Sequence, residues 1–229
     1  MSLDAIVWYV AFVLSTTAHE ASHALAAYLG GDRTAYLGGQ VSMNPIPHMK
    51  REPFGMVVMP LLGALSYGWP IGWASTPYDP RWERRYPRRA AWMAAAGPGA
   101  NLLIAVLALV LLRLGLASGI FDAPETVSFS RLVVADTLFF ENAGRFLAML
   151  LTLNVILLLF NLIPFPPLDG ASVMMLLLPE DIGLRLRETL RSGGLAIAGL
   201  LLAWFLFAQA VRPVWGLLLR LVHPNLIYG

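Results

Sequence analysis

The chain has 229 residues, 58% of them hydrophobic and 13% charged, with a formal net charge of +2. A soluble domain carries roughly 25% charged residues, so this composition excludes an ordinary soluble enzyme and points to an integral membrane protein. Nearly all the basic residues are arginine, a small surplus that suits membrane orientation rather than nucleic-acid binding, and the absence of cysteine excludes disulfides, thiolate ligands and a cysteine nucleophile.

The first apolar segment, residues 3–29, is long enough to span a bilayer. It has no basic leader and no cleavage site, so it reads as a retained span. Within it lies Ala18-His19-Glu20-Ala21-Ser22-His23. Histidines four apart share one helix face, so both imidazoles can reach one metal ion, with Glu20 beside them as a general base. Ionisable groups at membrane depth are costly and by default mark a functional site. Gly30-Gly31 stops the helix. Arg33 to Met43, broken at Gly38-Gly39, reads as a small β-hairpin, ended by Asn44-Pro45-Ile46-Pro47-His48.

Phe54 to Ala74 is uncharged and long enough to span, but it contains Gly55, Pro60, Gly63, Gly68, Pro70 and Gly72. Broken backbone at membrane depth is tolerated only against protein or a water-filled cavity, so this reads as a re-entrant segment, with a kinked full span as the alternative. Tyr78 to Arg89 is polar, with Arg81, Arg84, Arg85, Arg88 and Arg89. Ala90 to Leu112 is the second clear span, interrupted by Gly97-Pro98-Gly99 and carrying Asn101. Residues 115–142 form a connection with an expected amphipathic helix from about Arg131 to Glu141. Phe146 to Ile163 is the third span, leading through Pro164-Phe165-Pro166-Pro167-Leu168-Asp169-Gly170 to an apolar turn ending at Leu178. A polar stretch with Arg185, Arg187 and Arg191 precedes the last span, Leu195 to Leu221, with Pro213 as a potential kink.

The expected architecture is an all-α polytopic membrane protein with about four transmembrane helices, a re-entrant segment and a small β-hairpin. Its core is residues 1–178; residues 179–229 add a cytoplasmic loop and a C-terminal span. The positive-inside rule places the arginine-rich loops 30–53, 75–89 and 179–194 in the cytoplasm, and the acidic connection 115–142 on the other side.

Catalytic zinc needs three protein ligands and an open position. Asp169 is the best third candidate, as the only acid between residues 142 and 179, and the topology brings it to the same side as the histidines. Its plain alternative is a helix N-cap. Asn101 and Asn154 read as interhelical hydrogen-bonders, His48 as a solvated loop residue and His223 as a solvated tail residue. Gln40, Val41, Ser42 and Met43 read as an edge strand to which an extended peptide can add itself, or else as a loop that seals the mouth.

Three motifs together resemble the site-2 protease family of intramembrane zinc metalloproteases. They are His19-Glu20-Ala21-Ser22-His23, Gly97-Pro98-Gly99-Ala100-Asn101 and Asn161-Leu162-Ile163-Pro164-Phe165-Pro166-Pro167-Leu168-Asp169-Gly170. The likeness covers roughly residues 5 to 178 and is to the compact prokaryotic members without a PDZ or CBS module. It implies Zn2+ held by His19, His23 and Asp169, with Glu20 as the base. It also implies a transmembrane protein substrate, a lipid bilayer as surroundings, and a multi-pass place in a prokaryotic plasma membrane with the site toward the cytoplasm. Asn161 reads on its own as an interhelical hydrogen-bonder; the resemblance gives it an active-site polar role, such as stabilising a tetrahedral intermediate, and His48, in an N-P-x-x-H context, a role near the site. Two readings from other classes stand beside it: a catalytically silent interaction protein, and a metal transporter. The intact His-Glu-His set argues against the first, and polar residues gathered toward one membrane face against the second. Substrate identity and oligomeric state are not legible in the chain.

Overall fold

Long apolar runs without a polar stripe make helices that bury themselves in lipid or in one another. The computed structural model describes residues 3–179, 182–183 and 195–225. In chain order these form α1 (Leu3–Leu29), α2 (Thr34–Leu37) and α3 (Pro45–Arg51). A π-helical turn (Phe54–Val58) then runs into α4 (Met59–Tyr67), followed by α5 (Pro80–Arg85), α6 (Pro87–Ala117) and α7 (Leu138–Asn161). The chain continues with α8 (Gly170–Val173), a 3-10 turn (Met174–Leu176) and α9 (Leu195–Val222). Among the described residues three stretches are long and apolar enough to cross a membrane: Pro87–Ala117, Leu138–Asn161 and Leu201–Val222. The chain is thus a multi-pass membrane protein. α1 has 27 residues, about 40 Å of helix, and carries the histidine pair and Glu20 in a mostly apolar run.

α6 packs along both α1 and α7. Small side chains make this approach close, as they do between membrane helices generally: Ala11, Ala18, Ala21, Ala24 and Ala27 of α1 and Ala91, Ala105 and Ala108 of α6 are all buried. Leu112, Leu132, Val133, Leu151 and Leu218 fill one core between α6, α7 and α9. Trp8, Phe12, Met149 and Leu153 fill a second between α1 and α7.

Phe54 to Tyr67 is helical over about 21 Å, short of the roughly 30 Å hydrocarbon core. Gly68 then turns the chain with φ +71°, a left-handed conformation that side-chain-bearing residues avoid. The chain runs back until Trp73 N donates to Gly55 O at 3.1 Å. A Cβ on Gly55 or Gly72 would collide with the opposing backbone, so these glycines let the two limbs touch. The two limbs of the segment therefore lie back to back, with residues 55 and 73 together.

Several expectations are corrected. No β-hairpin forms at residues 33–43. Asp32 Oδ1 accepts both Thr34 N and Thr34 Oγ1, at 2.8 and 2.6 Å, and so starts the helical turn α2. Gln40 N then closes onto Ala35 O, which satisfies the backbone locally and leaves no ladder to build. Residues 44–48 begin a helix instead of merely ending a strand: Asn44 Oδ1 caps Ile46 N, and Pro45 occupies the first turn, where its missing N–H costs nothing. The helix expected from Arg131 is irregular backbone with isolated bridges, because Leu132 and Val133 are drawn into the core; α7 begins only at Leu138, capped by Thr137. His223 is buried, its Nε2–H donating to Leu132 O at 2.7 Å. Arg185, Arg187 and Arg191 lie outside the described residues.

Candidate metal centre

His23 and His19 sit about 9 and 15 Å in from the C-terminal end of α1, on its face toward α6. Asp169 arrives from the loop after α7. There it makes no cap bond to α8, so the N-cap reading of Asp169 is replaced. Its Oδ2 lies 3.1 Å from His19 Nε2 and 3.3 Å from His23 Nε2, and the two Nε2 atoms are 2.9 Å apart. These three are a described group whose ligand atoms converge closely enough for one metal ion.

The hydrogen bonds behind the rings decide what the triangle offers. His23 Nδ1 lies 2.7 Å from Met93 O, and a carbonyl only accepts, so Nδ1 carries the proton and Nε2 the lone pair. His19 Nδ1 lies 2.5 Å from Asn101 Oδ1. Asn101 Nδ2 donates to Asn154 Oδ1 at 2.8 Å, and Asn154 Nδ2 donates to Ser15 Oγ and to Leu150 O, each at 2.8 Å. His19 thus also presents its Nε2 lone pair. Two lone pairs and a carboxylate oxygen facing one point call for a cation between them.

Zinc fits this point. Ligands about 2.0–2.1 Å from a tetrahedral zinc stand roughly 3.3 Å from one another, at the long edge of the observed triangle. Gly97 keeps the space clear, since a Cβ there would strike both His23 Nε2 and His19 Nε2.

Glu20, the remaining acid of the motif, is 5% exposed. Its Oε2 accepts Thr76 Oγ1 at 2.7 Å. Thr76 belongs to the limb returning from α4, and that limb is fixed on both sides. Ser75 Oγ donates to Glu52 Oε1 at 2.5 Å, Arg51 Nε donates to Ser75 O at 3.1 Å, and Asp79 N donates to Asp32 Oδ2 at 2.7 Å.

The residues expected to contact substrate make bonds of their own. Asn161 ends α7 and donates to Leu157 O on its own helix, at 3.0 Å. His48 is 1% exposed, against the solvated reading, and its Nε2–H holds Ser42 O at 3.0 Å. Gln40 is buried and reaches Ser75 O, whereas Met43 is exposed. Val41 and Ser42 lie in the bend between them. With no strand at 40–43, the edge to which a substrate was expected to add is absent; the segment that faces Glu20 is the irregular limb holding Thr76.

The profile of peptidase family M50 matches residues 7–206. The chain belongs to that family. This M50 chain is 31% identical over 180 residues to "Putative zinc metalloprotease YwhC" of Bacillus subtilis (strain 168), covering 78% of this chain and 72% of that protein. It is 27% identical over 163 residues to "Putative zinc metalloprotease Rip2" of Mycolicibacterium smegmatis, covering 71% of this chain and 54% of that one. No solved structure matches at a significant level. The resemblance to the site-2 proteases is therefore one of family, and the M50 chain is a zinc metallopeptidase.

Residue-level reading of this M50 sequence missed Thr76, Asp32, and the service of Asn101 and Asn154 to His19. Asn101 was legible in part, since it follows Gly97 by four residues and so shares its helix face. Nothing near Thr76 marks it.

Proposed function

We propose that the protein hydrolyses peptide bonds within or beside transmembrane segments of other membrane proteins, with α1 as a fourth span and the centre opening toward the cytoplasm. The observation that carries this reading is the depth of the His19–His23–Asp169 triangle, about 9–15 Å inside the end of α1 and enclosed by α6. The loops gathered at that end carry Arg33, Lys50, Arg51 and the arginines of residues 81–89, which favours its facing the cytoplasm.

His19, His23 and Asp169 hold the ion in this reading. Bound zinc supplies Lewis acidity, polarising a peptide carbonyl and letting water lose its proton near neutral pH. Glu20 accepts that proton and passes it to the departing amine. The His–Nδ1 bonds to Asn101 and Met93 keep both rings turned toward the ion. A helical substrate hides its carbonyls in its own hydrogen bonds and must unwind to be cut.

The test is Glu20→Gln in place of the wild type. At least one membrane protein is expected to accumulate uncleaved, and the purified wild type is expected to cleave it until zinc is chelated. General-base loss lowers the rate about 10²–10⁴-fold. Near-normal cleavage by zinc-loaded Glu20→Gln assigns the base elsewhere, and cuts found only in soluble loops overturn the intramembrane reading.

A further inference from the structure

His19 can offer Nε2 to a metal only if its proton stays on Nδ1. We propose that Asn154, on α7, is a positioning residue that fixes the tautomer and tilt of His19 through Asn101, touching neither metal nor substrate. This rests on the metalloprotease reading above.

The polarity starts at a backbone group. Leu150 O can only accept, so the amide edge of Asn154 that faces it, at 2.8 Å, is Nδ2. The other Nδ2 hydrogen goes to Ser15 Oγ, also at 2.8 Å, so both donors are used. Asn154 Oδ1 therefore faces Asn101 and can only accept, which makes the Asn101 atom opposite it Nδ2. Asn101 Oδ1 is left facing His19 Nδ1, where only an N–H is complementary. Each step is forced by the one before it, from a carbonyl on α7, through α6, to an imidazole on α1. Asn101, Asn154 and Ser15 are all 0% exposed, so water does not stand in for a missing member. With Asn154 replaced by leucine, the Asn101 amide is free to turn its Nδ2 toward His19. That orientation favours a lone pair on Nδ1 and puts the proton on Nε2, the ligand atom. His23 takes its bond from Met93 O and is an internal control.

The experiment uses the full chain in detergent, as Asn154→Leu, Asn101→Leu, the double variant and Ser15→Ala. Zinc affinity is read by chelator competition. The two histidine tautomers are read from imidazole 15N signals of the zinc-free protein. Asn154→Leu and Asn101→Leu are each expected to bind zinc about 10–100-fold more weakly, and the double variant no more weakly than Asn101→Leu. The His19 signals are expected to shift toward Nε2 protonation while those of His23 stay. Ser15→Ala keeps Leu150 O, which alone sets the edge of the Asn154 amide, so the proton of His19 is expected to stay on Nδ1. Unchanged affinity and tautomer in Asn154→Leu, or losses that add in the double variant, overturn the proposal. If Asn154→Leu does not fold, Asn101→Leu decides, because a retained Nδ1 proton on His19 overturns it equally. A wild type that binds no zinc, with the tautomer change still seen in the two asparagine variants, rejects the metalloprotease reading and leaves the positioning chain standing.

Discussion

Thr76 Oγ1 lies 2.7 Å from Glu20 Oε2 and 2.9 Å from the Glu20 carbonyl oxygen. One hydroxyl on the returning limb thus sits against both the side chain and the backbone of the acid that the protease reading makes the base. A buried acceptor that loses its donor costs about 1–3 kcal/mol. Thr76→Val is expected to destabilise the fold by that order, seen as a lower melting temperature, and to slow cleavage, with Thr76→Ser close to wild type in both. Equal melting and equal rates for Val and Thr would show that the hydroxyl does not support Glu20.

Gly97→Ala leaves every proposed ligand in place and adds one methyl group against both Nε2 atoms. It is expected to abolish zinc binding and cleavage together, although alanine is the better helix former. Metal analysis of the purified variant checks this. Stoichiometric zinc would mean that α6 can shift away from α1.

Asp169→Ala removes a carboxylate from the triangle, whereas Glu20→Gln removes only a proton acceptor. The first is expected to lose metal and activity, the second activity alone. Full zinc occupancy in Asp169→Ala would place the third ligand elsewhere.

The site's end of the bundle faces the cytoplasm in the proposed topology. The chain has no cysteine, so single cysteines at exposed positions such as Arg81 or Arg84 are clean reporters. Labelling is expected with impermeant reagents only from the cytoplasmic side. Labelling from outside reverses the orientation.

The parts of this protein that were legible from sequence are those in which composition has one physical outcome. Apolar runs give spans, glycines and prolines at 55–72 give the reversal, and His19 with His23 give one helix face. The misread parts are decided by single polar atoms whose partners are distant or unexpected. Asp32 turns a hairpin-like stretch into α2 by accepting two bonds from Thr34. His48 and His223 look like solvent-exposed histidines until Ser42 O and Leu132 O are brought to them by folding. Thr76 meets Glu20 across 56 positions, and no periodicity encodes that distance.

The two histidines differ in what heredity can do to them. Every amino acid brings a carbonyl, so no coding change at position 93 deletes the acceptor of His23 Nδ1. The acceptor of His19 is an amide side chain whose orientation depends on a second amide, so changes at codons 101 and 154 both reach it. One half of the centre is written into the main chain and is insulated from substitution. The other half is held by two side chains, and there a lineage that keeps His19, Glu20 and His23 intact can still drift out of metal binding.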